Sequence, residues 1–186
     1  MKLFFVLIIL FIFVYFFKEI FDEKNESLLK NIYGEPLLPC RKGFDTKGSW
    51  DNEGFCSEEG GGVHQICFNV RDDTENFSEL TGQGDWSKSR KGKTHCMCLG
   101  AWALYKARQA RENNIDKTDN ELVCEAIPEM ALEEKYINKW NTWNKKELPK
   151  QIKEGVNSLY EQCSRKANPQ QKKFLDDKYN ILKPYL

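Results

Sequence analysis

Sulfur and imidazole give this chain its widest chemical reach, and they fall in two short clusters. Each of the two histidines lies close to cysteine, in His64-Gln65-Ile66-Cys67 and in His95-Cys96-Met97-Cys98. Zinc takes four Cys or His ligands in tetrahedral geometry. On that chemistry the expected ligand set is His64, Cys67, Cys96 and Cys98, with Cys40, Cys56 and His95 in reserve. In an oxidising compartment the same sulfurs form disulfides. Cys96 and Cys98 share a strand face and do not pair with each other in regular structure, so each would seek Cys40, Cys56 or Cys67. A third chemistry is that of the activated thiol. Cys98 stands where a helix is expected to begin, and free N–H groups there favour thiolate, with His95 close in sequence. The plainest alternative is packing, with buried thiols and hydrogen-bonded histidines and no site at all.

Other templates are missing. There is no Gly-x-x-x-x-Gly-Lys phosphate loop, no Gly-x-Ser-x-Gly elbow and no His-Glu-x-x-His, and the acids are scattered. No Asn or Asp completes a triad with His95, so no catalytic residue is assigned. The cysteines number seven, and an odd count leaves at least one unpaired within the chain. Lys+Arg and Asp+Glu are both 28, so no global field favours nucleic acid, and lysine outnumbers arginine. No nucleic-acid partner is expected. A small-molecule ligand is not indicated by any motif.

The elements that must carry these residues begin with an anchor. Leu3 to Phe17 is unbroken apolar sequence, and counting on to Phe21 gives a helix of about 28 Å, near the ~30 Å hydrocarbon core. The following Lys-Glu-Ile-Phe-Asp-Glu offers no small-residue cleavage site, so residues 1–21 are expected to be an uncleaved transmembrane helix rather than a signal peptide. Residues 22–30 are a polar stem. Lys18, Lys24 and Lys30 lean toward a cytoplasmic soluble domain, while the short positive amino end suits the opposite topology; both remain open. The glycosylation triplets at Asn25 and Asn76 decide nothing.

Beyond the stem, residues 31–51 read as ordered turns, 58–62 as a glycine loop, and Val63–Val70 as a strand. The basic run Lys88, Arg90, Lys91 and Lys93 reads as a solvated loop, with anion contact as the alternative. Leu99–Arg111 has helical spacing at Leu99, Trp102, Ala103 and Lys106. Glu121–Ile127 reads as a second strand. A helix from Pro128 would place Leu132, Tyr136, Trp140 and Trp143 on one stripe. Another, from Lys146 to Cys163, carries Leu148, Ile152, Val156, Leu159 and Cys163 on its apolar face. The last starts at Asn168-Pro169, with Phe174, Tyr179 and Leu182 inward.

Several of these stretches resemble the uncharacterised family called domain of unknown function 2237. The resemblance rests on Asn31-Ile32-Tyr33-Gly34-Glu35-Pro36-Leu37-Leu38-Pro39-Cys40, Gly54-Phe55-Cys56, His64-Gln65-Ile66-Cys67, Cys96-Met97-Cys98 running on to Trp102, and Val123 to Glu129. It implies that Cys40, Cys56, Cys67, Cys96, Cys98 and His64 belong to a family pattern, and that Cys124 and Cys163 are particular to this chain. His95 stands where many relatives carry tryptophan. Ile127-Pro128-Glu129 stands where many carry Thr-His-Glu. Bacterial relatives are short and lack an anchor, which implies a domain that folds with reduced cysteines and favours metal or buried thiols over disulfides. The family brings no established activity with it.

The expected architecture is therefore α+β: a small antiparallel or mixed sheet with packed helices over 31–137, a transmembrane helix over 1–21, and a helical extension over 138–186. The expected role is a membrane-anchored, cysteine-rich structural or binding domain, zinc-stabilised if the sulfurs stay reduced. The alternatives are a thiol-dependent redox protein or enzyme using Cys96 and Cys98, and an interaction module whose helical tail binds a protein partner.

Overall fold

The computed structural model describes residues 29–40, 54–56, 64–71, 76–112, 121–139, 142–143, 146–147 and 149–186. The expected anchor over 1–21 and the glycine loop at 58–62 lie outside the described residues. Among those described, no helix is long and apolar enough to cross a membrane.

The fold is α+β. Two short strands, β1 (Ile66–Asn69) and β2 (Thr94–Met97), pair antiparallel with Cys67 opposite Cys96 and Phe68 opposite His95. The register follows from the backbone bonds. Val70 donates to Lys93 O at 2.9 Å and accepts from Gly92 N at 2.7 Å. Cys67 O and Asn69 N turn the other way, to Val123 N at 3.1 Å and Glu121 O at 2.7 Å. Even-numbered β1 residues thus bond to β2 and odd-numbered ones to the 121–123 segment. Cys67 and Cys96 are consequently a non-hydrogen-bonded pair, whose Cα atoms stand close, about 4.5 Å apart in such pairs.

Between the strands lie a helical turn, α1 (Phe77–Leu80), and a single 3-10 turn at Lys88–Arg90. The connection is tied internally: the Ser78 and Ser87 hydroxyls are 2.8 Å apart, and each accepts from the other's backbone N–H. Lys88 of the basic run pairs with Glu79 at 2.6 Å on the surface.

Helix α2 (Leu99–Glu112) is the centre of the molecule. Spacing suggested one apolar stripe, yet every residue from Leu99 to Ala107 is buried. A helix covered all round must be walled on several sides. On one side Phe68, Phe77, Trp102 and Tyr105 form an aromatic cluster with ring centroids 4.9–6.0 Å apart. Another side is closed by helix α4 (Pro149–Lys166), which sets Ile152, Val156 and Leu159 into the core. The two helices approach so closely that Gly155 lies directly against Ala103, and Trp102 Nε1 donates to Gly155 O at 3.2 Å.

The stretch from 121 to 147 departs from expectation. In place of a strand over 121–127, Leu122 makes a single bridge to Phe68, and a 3-10 turn follows at Cys124–Ala126. In place of one helix from Pro128 there is a 3-10 turn at Glu129–Leu132, a short helix α3 (Glu134–Lys139), and a minimal ribbon of β3 (Thr142–Trp143) and β4 (Lys146–Glu147). The aromatic stripe is thus broken between elements: Tyr136 lies in α3 and Trp143 in β3. Pro128 is extended, and its neighbours are held by the amino-terminal segment: Ile32 N donates to Ile127 O at 2.9 Å, and Glu129 N to Lys30 O at 2.9 Å. Tertiary pairing wins over local helical preference there.

The amino-terminal segment is organised by one buried side chain. Asn31 Oδ1 accepts from Tyr33 N at 2.9 Å and Glu35 N at 3.2 Å, while its Nδ2 donates to Pro36 O and Glu125 O. Gly34 closes that turn at φ +79°, under the ring of Phe174. Phe174 belongs to α5 (Pro169–Leu182), whose Asn168 and Gln171 form the expected capping box. Tyr160 and Tyr179 stack at 4.0 Å between α4 and α5. The carboxyl-terminal helices therefore complete the core of the 31–137 region.

Candidate functional site

The sulfurs resolve the competition among the three chemistries. Cys40 bonds to Cys67, Cys56 to Cys96, and Cys124 to Cys163, with Cα separations of 5.6, 5.3 and 5.7 Å. These fall in the usual disulfide range. Cys98 is the free, buried thiol.

Two of the three disulfides form one cluster. Cys67 and Cys96 face each other across β1 and β2, and each reaches out to a cysteine of a separate segment. Those segments are themselves joined, since Cys40 N donates to Gly54 O at 2.9 Å. Gly54 has φ 85°, a left-handed conformation that favours glycine, and it brings Cys56 back toward the strands. The Sγ atoms of Cys40, Cys56 and Cys67 lie within 4.8 Å of one another, and that of Cys96 is one covalent bond further on.

The expected zinc set is accordingly redistributed. Cys67 and Cys96 come together, but with Cys40 and Cys56, which stood only in reserve, and each is committed to a disulfide. A disulfide sulfur has no thiolate to offer a metal. Among the described residues, His64, His95 and Cys98 do not join the converging group. Strand alternation separates the two neighbours: Cys96 points to the sulfur side and His95 to the other.

His95 is built into a different cluster. It is buried, its ring lies 4.3 Å from Trp86, and its Nδ1 is 2.7 Å from Arg90 Nη1. Arg90 in turn covers the Trp86 ring at 4.6 Å. A guanidinium donates only, so the imidazole nitrogen facing it is the unprotonated acceptor. Burial first, then the charges of Arg90 and His64, push His95 down to about 3. The local basic run thus supplies a partner for a neutral histidine.

The activated-thiol expectation for Cys98 is reversed. The thiol does sit at the start of α2, and Ala101 N donates to its Sγ at 3.4 Å. Burial outweighs those N–H groups and pushes the thiol up to about 12. With Cys96 bound to Cys56, the Cys96/Cys98 pair has no exposed thiolate in this oxidised form.

The third disulfide could not be foreseen from spacing, although a signal existed: Cys163 occupies the buried face of its helix with Ile152, Val156 and Leu159. The link fastens the helical extension to the 121–127 segment, and Tyr33 OH adds a bond to Cys163 O at 2.8 Å. Around it, Leu122 N donates to Gln162 Oε1 at 3.3 Å. The tail face expected to take a partner is, through Ile152, Val156 and Leu159, used inside the molecule; Leu148 lies outside the described residues.

No family model, no curated protein and no solved structure matches this chain.

Proposed function

We propose that the chain is a non-enzymatic structural or binding domain, held at a membrane by residues 1–21 and presented on the oxidising side. The observation that carries this reading is the state of the sulfurs: six are paired in three disulfides, and the seventh is sealed in the core. Disulfides persist in secreted, lumenal and periplasmic settings and are reduced in the cytosol. That preference outweighs the lysine count, which leaned toward the cytoplasm.

The sulfurs on this reading are framework rather than reagent. Each disulfide fixes a segment with little regular structure of its own: Cys40 the amino-terminal turns, Cys56 the short 54–56 stretch, and Cys124 the 121–127 segment. The likeness of residues 31–137 to the domain of unknown function 2237 family is part of the same proposal, and it rests on the motifs alone.

The test is a thiol count with topology mapping on the full chain. Thiols trapped by acid and alkylated in denaturant should number one, rising to seven after reduction. Protease protection should place residues beyond 31 on the non-cytoplasmic side. Seven alkylated thiols without reduction, or a domain beyond residue 31 that maps to the cytoplasmic side, would overturn the proposal.

A further inference from the structure

We propose that the Cys40–Cys67 and Cys56–Cys96 cluster is also a latent metal site, which on reduction binds one thiophilic divalent cation such as zinc through all four sulfurs. The inference goes beyond the framework role, because it concerns the reduced chain.

Three observations carry it. The first is convergence. Three of the sulfurs already lie within 4.8 Å of one another, and the fourth is bonded to one of them. Tetrahedral zinc at Zn–S distances of about 2.3 Å sets its sulfurs about 3.8 Å apart, so each reduced pair must open from about 2 Å by about 1.8 Å, while the two pairs close on each other by no more than about 1 Å. The second is the origin of the ligands. Cys67 and Cys96 come from a cross-strand pair, and Cys40 and Cys56 from two segments joined by the Cys40 N to Gly54 O bond. Two pairs facing each other are a natural frame for a four-thiolate site.

The third is that hydrogen bonds hold part of this frame independently of the sulfurs. Leu38 N donates to Glu125 O at 3.0 Å, Ile32 N to Ile127 O at 2.9 Å, and Asn31 clamps Pro36 and Glu125. Val70, Gly92 and Lys93 fix the strand register. None of these bonds runs through a sulfur, so reducing the two disulfides removes none of them directly.

The chemistry balances with a dithiol reductant. Each disulfide takes two electrons and two protons from one dithiol, giving two cysteine thiols and one oxidised cyclic disulfide. The cation then displaces four thiol protons and forms four metal–sulfur bonds. Cys98 stays outside the set, and Cys124 and Cys163 belong to a separate bond.

The test uses the full chain carrying Cys98→Ser, Cys124→Ser and Cys163→Ser, so that four cysteines remain. It is reduced anaerobically with a water-soluble phosphine, which takes oxygen from water and leaves no competing thiol. Cobalt(II) is the probe, since its spectrum reports both tetrahedral geometry and thiolate ligation. The expected result is saturation at one cobalt per chain with four-thiolate absorption, bleached by zinc. That absorption should be lost when Cys40→Ser and Cys67→Ser are added, and should be missing in the oxidised chain. A spectrum unchanged by those two substitutions, one present in oxidised protein, or no stoichiometric binding would overturn the proposal. A reduced chain that unfolds and takes up no cobalt would overturn it equally. The thiol count of the isolated protein is unaffected by any of these outcomes, so the two proposals fail separately.

Discussion

Replacing Gly155 by alanine puts two general effects in direct opposition. Gly155 lies inside helix α4, where alanine is favoured over glycine by about 1 kcal/mol. A Cβ at that position, however, would stand 2.7 Å from both Cα and Cβ of Ala103 and 3.3 Å from its backbone nitrogen. The obstacle is helix α2's own backbone, so no rotamer change relieves it. Restoring an ordinary carbon–carbon contact of about 3.8 Å means moving the helices apart by about 1 Å, which forfeits a good part of the dispersion along the seam. Overpacking of this kind costs about 1–3 kcal/mol, and stretching the Trp102 Nε1 to Gly155 O bond adds about 1. The net expectation is a loss of about 2 kcal/mol. With a urea m-value near 2 kcal/mol/M, the midpoint should fall by about 1 M, followed by tryptophan fluorescence on the oxidised chain. Lys153→Ala, at an exposed site on the same helix, should stay within about 0.5 kcal/mol of the parent. Adding Ala103→Gly removes one of the two clashing carbons and should recover only part of the loss. A Gly155→Ala chain as stable as the parent, or more so, would refute the close approach of the two helices.

Other expectations concern buried chemistry. Removing the Cys124–Cys163 link with paired alanines, across a separation of 39 residues, should cost about 4 kcal/mol by loop entropy, read as a drop in denaturation midpoint; a change below about 1 would contradict its framework role. His95 is held neutral to about pH 3, whereas unfolded it protonates below about 6.5, so its contribution is complete above 6.5 and is lost as pH falls toward 3. The loss reaches at most about 5 kcal/mol. The pH dependence of unfolding free energy should flatten over that window in His95→Gln, and parallel curves would refute the assignment. Cys98 should resist alkylation in the native chain through about pH 9 and react once in denaturant; native modification at neutral pH would contradict its burial. Lys106 pairs with Glu121 at 3.2 Å, both buried. Lys106→Met should therefore cost about 3–5 kcal/mol by stranding the carboxylate, and Lys106→Met with Glu121→Leu should restore most of it. Similar midpoints for the single and double variants would show that the pair is not coupled.

Local signals carried much of the helical architecture. The α4 face was legible because Ile152, Val156, Leu159 and Cys163 repeat at helical spacing, and the start of α5 because Asn168-Pro169 is a cap whose chemistry acts within four residues. Strand β1 was legible from its β-branched and aromatic residues. The 121–127 segment misled for the same reason: its residues suit a strand, but it makes a single bridge opposite Phe68, bonded through Cys67 and Asn69, and then turns to the amino-terminal segment, partners remote in sequence. The stripe from Leu132 to Trp143 broke at Glu133, whose backbone turns extended between the 3-10 turn and α3. Half of the sulfur cluster was anticipated in Cys67 and Cys96. What spacing could not supply was which remote cysteine each would meet, because that depends on the Gly54 turn and on Asn31 holding 29–40 against 125–128. His95 could not be separated from Cys96 until Thr94–Met97 was seen to be a strand, whose alternation sets the two on opposite faces.

The long reach of the Tyr33 bond sets an order in time. Tyr33 meets the carbonyl of Cys163 across 130 residues, and Ile32 and Leu38 wait for Ile127 and Glu125. At synthesis rates of about 5–20 residues per second, the amino-terminal turns spend on the order of ten seconds without the surface that shapes them. Cys40 and Cys67, 27 residues apart, are both made early in that interval, whereas Cys124 has no correct partner until most of α4 has emerged. The Cys124–Cys163 bond is therefore the last of the three disulfides that the growing chain can close.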